Sequence, residues 1–118
     1  MPFNGTEGTE ITLSTAAQLT QHYREVNPDP KTILGCFLGK NVLNSFLAQL
    51  GCQGIRFHYD LRGIILELVT AGADSEENDQ LGIVLGIQCI IADDAAKCPP
   101  NSSQTNSLNT TPQQHEEK

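Results

Sequence analysis

The spacing of apolar residues changes from a helical to an extended period along the chain. Between Thr15 and Val26 they recur every three or four residues, which is typical of one apolar face on a helix. Ser14 or Thr15 is the expected N-cap, because either hydroxyl can accept a hydrogen bond from the first free amides. We expect the helix to end near Asn27, since the prolines that follow disfavour helical geometry in the residues before them. The pattern therefore predicts a first helix over residues 15–26.

A second helical pattern begins near Lys40 and ends near Leu50. Gly51 follows it directly and suits the left-handed position that often ends a helix. Ahead of this helix, the short apolar run Ile33–Leu38 favours a strand or an extended connector.

The stretch after Gly51 is the most informative part of the sequence, because it predicts a β-hairpin that begins directly after a helix. Apolar and polar side chains alternate from Ile55 to Asp60, as on a strand with two different faces. Leu61–Gly63 is the expected turn, with the glycine at positive φ, and Ile64–Thr70 is the expected return strand. We predict an acidic loop over Ala71–Gln80 and a third strand over Leu81–Ile91.

The two later strands carry apolar residues on both faces, which is unusual for an antiparallel sheet with one solvated face. Ile65 and Val69 lie on the second face of the return strand, and Val84 and Ile90 lie on the second face of the third strand. Two helices cover only one face, so these four residues are candidates for a homodimer interface. The predicted fold class is α+β, with two N-terminal helices packed on a small, mainly antiparallel sheet of three to four strands.

The length of 118 residues suits one small domain. We expect a flexible N-terminus over residues 1–8, a single α+β domain over residues 9–94 and a disordered polar tail over residues 95–118. The tail is low in complexity and nearly free of large apolar side chains.

Fourteen acidic residues against seven basic ones give a net charge of −7. This excess argues against binding to nucleic acid or to an anionic membrane surface, and a basic protein remains an alternative partner. The N-terminus lacks the basic and apolar regions of a signal peptide. The longest apolar run, Gly82–Ile91, is too short to cross a bilayer. We therefore expect a cytoplasmic protein.

Candidate binding residues cluster on the first hairpin strand. Arg56, His58 and Asp60 share its polar face, and Tyr59 lies between them on the other face. A histidine with a carboxylate can act as a general base, and an arginine can hold an anion. A solvated strand face gives the same pattern, and no serine or cysteine nucleophile is placed nearby by sequence. We therefore name no catalytic residue and expect a protein that is not an enzyme.

No cofactor or metal is expected either. The four cysteines show no C-x-x-C pair, so free thiols are favoured over a disulfide or a metal site. The segment Gly35–Asn41 is one residue short of a phosphate-binding loop and lacks its hydroxyl residue. The acidic loop from Asp74 lacks the glycine and the final glutamate that a calcium-binding loop requires.

Several segments resemble a family of small, uncharacterised bacterial proteins of about this length. The resemblance rests on the first helix, TAAQLTQHYREVNP, and on the hairpin motif GC-x-GIR-x-x-Y, within residues 11–86. Such proteins often have a second cysteine after a C-P-x-x step, where this chain has Ser102. The resemblance implies no known activity and no site residues.

Three functional hypotheses follow from the sequence. The first is a non-enzymatic interaction module, homodimeric through the second sheet face. Another is an acidic inhibitor, similar to an immunity protein or antitoxin, that neutralises a basic enzyme by charge complementarity. The third is a small-molecule binder or enzyme that uses Arg56, His58 and Tyr59.

Overall fold

The computed structural model describes residues 2–110, and their architecture is α+β with two helices and antiparallel sheets, as the sequence predicts. Along the chain the elements are α1 (Leu13–Val26), β1 (Gly35–Phe37), α2 (Lys40–Leu47), β2 (Cys52–Arg62), β3 (Ile65–Asp74), β4 (Ile83–Val84), β5 (Ile87–Gln88), β6 (Ile91–Ala92) and β7 (Ala96–Cys98). Within the described range, no helix is long and apolar enough to cross a membrane.

The described chain divides into two compact units. One unit, called the sheet unit below, contains residues 2–8 and 36–96, and the other contains residues 9–35 and 97–110. Only α1 lies near the N-terminus, so the expected pair of N-terminal helices on one sheet is wrong in this detail. The predicted polar tail, residues 95–118, begins with the short strand β7, and its part after Thr110 lies outside the described residues.

Helix α1 begins two residues earlier than its sequence pattern predicts. Its N-cap is Thr12, whose hydroxyl oxygen accepts a hydrogen bond from the amide of Thr15 at 3.1 Å. Thr15 is therefore the third residue of the helix and does not cap it. The end is as predicted, because the Asn27 amide donates to the carbonyl of Tyr23 and closes the last turn.

Helix α2 is shorter than predicted, ending at Leu47 instead of near Leu50. A turn follows in which Gly51 has a φ of 80°, so the predicted left-handed glycine is present but lies beyond the helix. Phe46 is completely buried and is the largest apolar side chain of the core. Because α2 contacts β2 and β3, it positions this ring against the hairpin.

The hairpin of β2 and β3 is antiparallel, and its register pairs Arg62 with Ile65. Its connection is the two-residue turn Gly63–Ile64, with Gly63 at a φ of 66°. The predicted turn was Leu61–Gly63, but Leu61 and Arg62 belong to β2. The return strand continues to Asp74, where a loop was expected. Ala71–Ala73 have low strand propensity, but their small size lets the backbone lie in the buried interior, and packing overrides propensity there.

The predicted third strand is divided into three short strands, β4, β5 and β6. Only β6 joins the hairpin, making a sheet in the order β2-β3-β6, while β4 and β5 form a separate two-stranded hairpin. The division follows from backbone geometry, because Gly82, Leu85 and Gly86 all have positive φ. A chain with such angles turns and cannot continue as a strand.

Two glutamines, the buried Gln80 and the half-buried Gln49, connect the parts of the sheet unit. Gln49, after α2, donates from its side chain to Gln80 at 3.0 Å and accepts from the amide of Ile90 at 2.8 Å. Gln80 donates from its side chain to the carbonyl of Leu50 at 2.7 Å and from its backbone to the carbonyl of Gly72 at 2.8 Å. These bonds join the end of α2, the strand β3 and the chain before β6.

Gly72→Ala should destabilise the protein because a methyl group there meets this network. A Cβ at Gly72 lies 2.6 Å from the Gln80 side-chain oxygen and 2.8 Å from the Gln49 side-chain nitrogen. We expect a loss of about 1–3 kcal/mol in the free energy of unfolding, measured by urea denaturation. Gly54→Ala is the matched control, because a Cβ at Gly54 meets nothing within 4 Å. Equal losses in the two variants would contradict this packing account.

Candidate functional site

Arg56 and His58, the two basic candidates on β2, meet the same carboxylate. Asp79 accepts a hydrogen bond from Arg56 Nη1 at 2.6 Å through one oxygen and contacts His58 Nε2 at 2.8 Å through the other. A second bond from Arg56, at 3.1 Å, goes to the backbone carbonyl of Glu77. The site is therefore an Arg–Asp–His cluster held between β2 and the segment before Gln80.

Asp60, the predicted carboxylate partner of His58, is engaged elsewhere. Its oxygen accepts from Arg62 Nε at 2.9 Å, and Arg62 also donates to Asp93 at 2.7 Å. These two carboxylates raise the pKa of Arg62 above its ordinary value, Asp93 having the larger effect. The polar face of β2 therefore carries two separate ion clusters, one around Asp79 and one around Arg62.

Tyr59 does not belong to either cluster. It alternates with Arg56 and His58 along β2, so its side chain lies on the other face of the strand. The ring is 82% exposed. A single small ligand therefore cannot be held by Tyr59 and by the two basic residues on the same face.

Sequence reasoning missed Asp79, although this residue organises the cluster. Asp79 forms an isolated antiparallel bridge with Ala73, which brings its side chain back over the hairpin. Burial acts to raise the pKa of Asp79, but the hydrogen bonds from His58 and Arg56 outweigh it, so the pKa lies below its ordinary value. The only available signal was the position of Asp79 at the end of an acidic turn, which does not indicate a partner 21 or 23 residues away.

A cavity of about 350 Å³ lies beside this cluster. Its lining includes Phe3, Glu7, Ile55, Arg56 and Phe57. The Arg56 guanidinium lies 5.4 Å from the centre of the Phe3 ring, so the N-terminal segment packs against it. Since Asp79, the Glu77 carbonyl and this ring occupy Arg56, little of its charge remains for an anionic ligand.

The four predicted interface residues differ in exposure. Ile65 is 50% exposed and Val84 is 36% exposed, whereas Val69 and Ile90 are half-buried. Glu67, between Ile65 and Val69, is only 3% exposed. Part of the second sheet face is therefore covered within this chain.

A larger unpartnered apolar feature lies at the β4–β5 hairpin. A cavity of about 520 Å³, called the hairpin groove below, lies between this hairpin and the end of α2. Its lining residues are Ser45, Ala48, Gln49, Leu50, Val84, Leu85, Ile87, Gln88, Cys89 and Ile90, none of which is charged. Leu50, Leu85 and Ile87 are 65%, 82% and 72% exposed, respectively.

Leu85 stands in an unfavourable backbone conformation at the tip of this hairpin. Its φ is 49° and that of Gly86 is 80°, as in a type I′ turn, whose first position favours asparagine or aspartate. A leucine with positive φ is uncommon and costs conformational energy. Because its side chain is mostly exposed, packing within the chain does not offset that cost.

Residues 2–110 show no metal-binding site. Within that range, no group of three or more histidine, cysteine, aspartate or glutamate side chains is arranged to hold a metal ion. None of Cys36, Cys52, Cys89 and Cys98 is joined in a disulfide. The Asp74 carboxylate accepts the amides of Glu76 and Asn78, so it shapes the acidic turn.

Comparisons of this chain with protein-family models, with curated proteins and with solved structures give no match. The resemblance of residues 11–86 to a family of small bacterial proteins therefore stays a prediction.

Asp79→Asn should make the stability of the protein less dependent on acid. Because the pKa of folded Asp79 lies below its ordinary value of 3.8, its ionised form stabilises the fold above that value. This contribution is lost as the pH falls further, towards the pKa of the folded state. We expect the wild-type protein to lose more unfolding free energy than Asp79→Asn between about pH 5 and about pH 2. Urea denaturation at each pH tests this, and equal losses would show that Asp79 is not preferentially ionised in the fold.

Leu85→Asn should stabilise the hairpin, since asparagine suits the positive φ of this position. We expect a gain of about 1 kcal/mol in the free energy of unfolding, measured by thermal or urea denaturation. Leu85→Ala is the control, because alanine removes the same apolar side chain without relieving the backbone. A gain in both variants would indicate that exposure of leucine, and not its φ, is the cost.

Proposed function

We propose that the protein is a non-enzymatic interaction module that forms a homodimer and binds an apolar segment of a partner protein in the hairpin groove. It acts by presenting fixed surfaces and not by chemistry on a small substrate. The observation that carries the proposal is Leu85, which is 82% exposed and held at a φ of 49°. A residue that costs stability and packs little within its own chain suggests a role outside that chain.

The composition of the groove supports apolar docking. No charged residue occurs between Gln80 and Ala92, although the chain has a net charge of −7. Removal of apolar surface from water is therefore the available driving force at this site. Contiguous exposed apolar surface of this kind is typical of protein interaction sites.

The polar face of β2 supports binding chemistry less well. Asp79 holds Arg56 and His58, and Tyr59 lies on the opposite face of the strand. The acidic-inhibitor hypothesis also loses support, because Asp60, Asp79 and Asp93 all pair with arginines of the same chain. A basic partner would have to compete with these internal ion pairs.

The edge of strand β2 supports the proposed homodimer better than the second sheet face, which the sequence favoured. The second sheet face is partly covered, as the burial of Glu67 shows. The sheet order β2-β3-β6 nevertheless leaves the eleven-residue strand β2 at an edge. Such an edge presents unpaired backbone groups that a second strand can bond.

Site-specific photo-crosslinking tests the docking role of the groove. A photoreactive phenylalanine replaces Leu85 in the full-length protein, in the cells that normally produce it. Ile64 is the matched control position, because it is 97% exposed at the tip of the other hairpin. We expect discrete crosslinked species from position 85 and only background from position 64.

Two results would contradict the proposal. If positions 85 and 64 give the same products, the groove has no specific occupant. If the adducts at position 85 contain only small metabolites, the groove binds small molecules and not a protein segment.

A further inference from the structure

Strand β2 has features of an edge that accepts a second strand. Among the described residues, β3 is its only strand partner, and the register between them is regular from Gly54 to Arg62. The single irregularity lies at the start, between Cys52 and Gly54. Prolines and bulges are two common protections against edge pairing, and neither interrupts the rest of this strand.

The C-terminal half of β2 also exposes apolar side chains on one face. Phe57, Tyr59 and Leu61 are 49%, 82% and 66% exposed, respectively. On a strand these three residues lie on the same side. Pairing with another strand would bury part of this row and satisfy the backbone at the same time.

A second copy of the chain is an occupant whose pairing geometry can be worked out. In a symmetric antiparallel pair, one residue faces its own symmetry mate and the others pair around it. Opposed residues project from the same face of the sheet, so odd-numbered residues face odd-numbered ones and even face even. The choice of register is therefore a choice of the central residue.

Charge decides among the possible centres. With His58 at the centre, Arg56 of each copy faces Asp60 of the other. Arg56 keeps its bond to Asp79 and Asp60 keeps its bond to Arg62, so two ion pairs of each copy meet with opposite charges facing each other. Phe57 then faces Tyr59 of the other copy, giving two aromatic pairs. A centre at Phe57 opposes Arg56 to His58 twice, and a centre at Tyr59 opposes Arg56 to Arg62 twice, although it also pairs His58 with Asp60. At the His58 centre the only basic side chains that face each other are the two His58 rings.

A centre at Leu61 would pair Asp60 with Arg62 of the other copy, but the ladder of paired residues would be short. The strand ends at Arg62, and the turn at Gly63 and Ile64 follows. That arrangement covers only residues 60–62. The His58 centre extends over residues 56–60 and continues towards Ile55 opposite Leu61.

We infer that the homodimer forms by antiparallel pairing of the two β2 edges about His58, with Arg56 of each copy opposite Asp60 of the other. This inference rests on the proposed function, since it names the interface of the proposed homodimer. It joins the two three-stranded sheets into one sheet of six strands. Strands β4 and β5 take no part, so both hairpin grooves stay available to partner proteins.

Two measurements on the wild-type chain test this interface. Light scattering at micromolar to submillimolar concentrations gives the mass, for which we expect a dimer. Isotope-filtered NMR on a mixture of labelled and unlabelled protein gives contacts between copies, which we expect between the rings of Phe57 and Tyr59. A monomer at every concentration overturns both the homodimer and its interface. A dimer whose contacts involve Leu85 or Ile87 overturns the edge pairing but leaves the homodimer intact.

A matched pair of charge reversals gives an independent test. Asp60→Lys and Asp93→Lys each remove one carboxylate from Arg62. Only Asp60→Lys also places a cation opposite Arg56 of the other copy. We expect its dimer dissociation constant to rise about tenfold, and that of Asp93→Lys to change less than about twofold. Equal changes in the two variants, with both proteins folded by circular dichroism, would contradict the register.

Discussion

The side chains of Gln49 and Gln80 connect the end of α2 to the chain before β6, and both lie against β3. Gln80 is 6% exposed and bonds Gln49, the Leu50 carbonyl and the Gly72 carbonyl. The Gln49 side-chain oxygen also accepts a hydrogen bond from the amide of Ile90. If one of these side chains is removed, each buried donor or acceptor that it bonded is left unsatisfied, at a cost of about 1–3 kcal/mol per group. A Cβ at position 72 would clash with both side-chain amides. Because Gly72 has no Cβ, its backbone can lie against them.

This interior explains how the two proposed surfaces can be exposed without loss of the fold. Gln49 fixes the end of α2 and the chain before β6, so the hairpin groove has one ordered wall on each side. Asp79, one residue before Gln80, holds Arg56 and His58 against the hairpin. These ion pairs keep the polar side of β2 ordered, while its edge and its apolar row remain open. The polar residues Arg56, His58 and Asp60 are therefore engaged in ion pairs within the chain.

Local signals in the sequence predicted the local structure well. The end of α1, the start of α2, the hairpin and the positive φ at Gly51 and Gly63 all follow from residue types whose preferences act within a few positions. The errors lie where packing or distant contacts decide. Small residues at 71–73 extend β3 because the interior requires them, and Leu85 adopts a turn conformation that leucine disfavours. Asp79 was missed because its partners lie on another strand, and a single sequence carries no record of that contact.

Amide hydrogen exchange followed by NMR at several protein concentrations tests the account most directly. We predict that the amides of Gln80 and Ile90 are protected at every concentration, since their bonds lie within one chain. Along residues 56–60, alternate amides bond β3 and should also stay protected, whereas the remaining ones should gain protection only as the concentration rises. If those outer amides exchange at the same unprotected rate throughout the series, the edge of β2 has no partner strand. If Gln80 and Ile90 exchange as fast as Leu85, the side chains of Gln49 and Gln80 do not connect the end of α2 to the chain before β6.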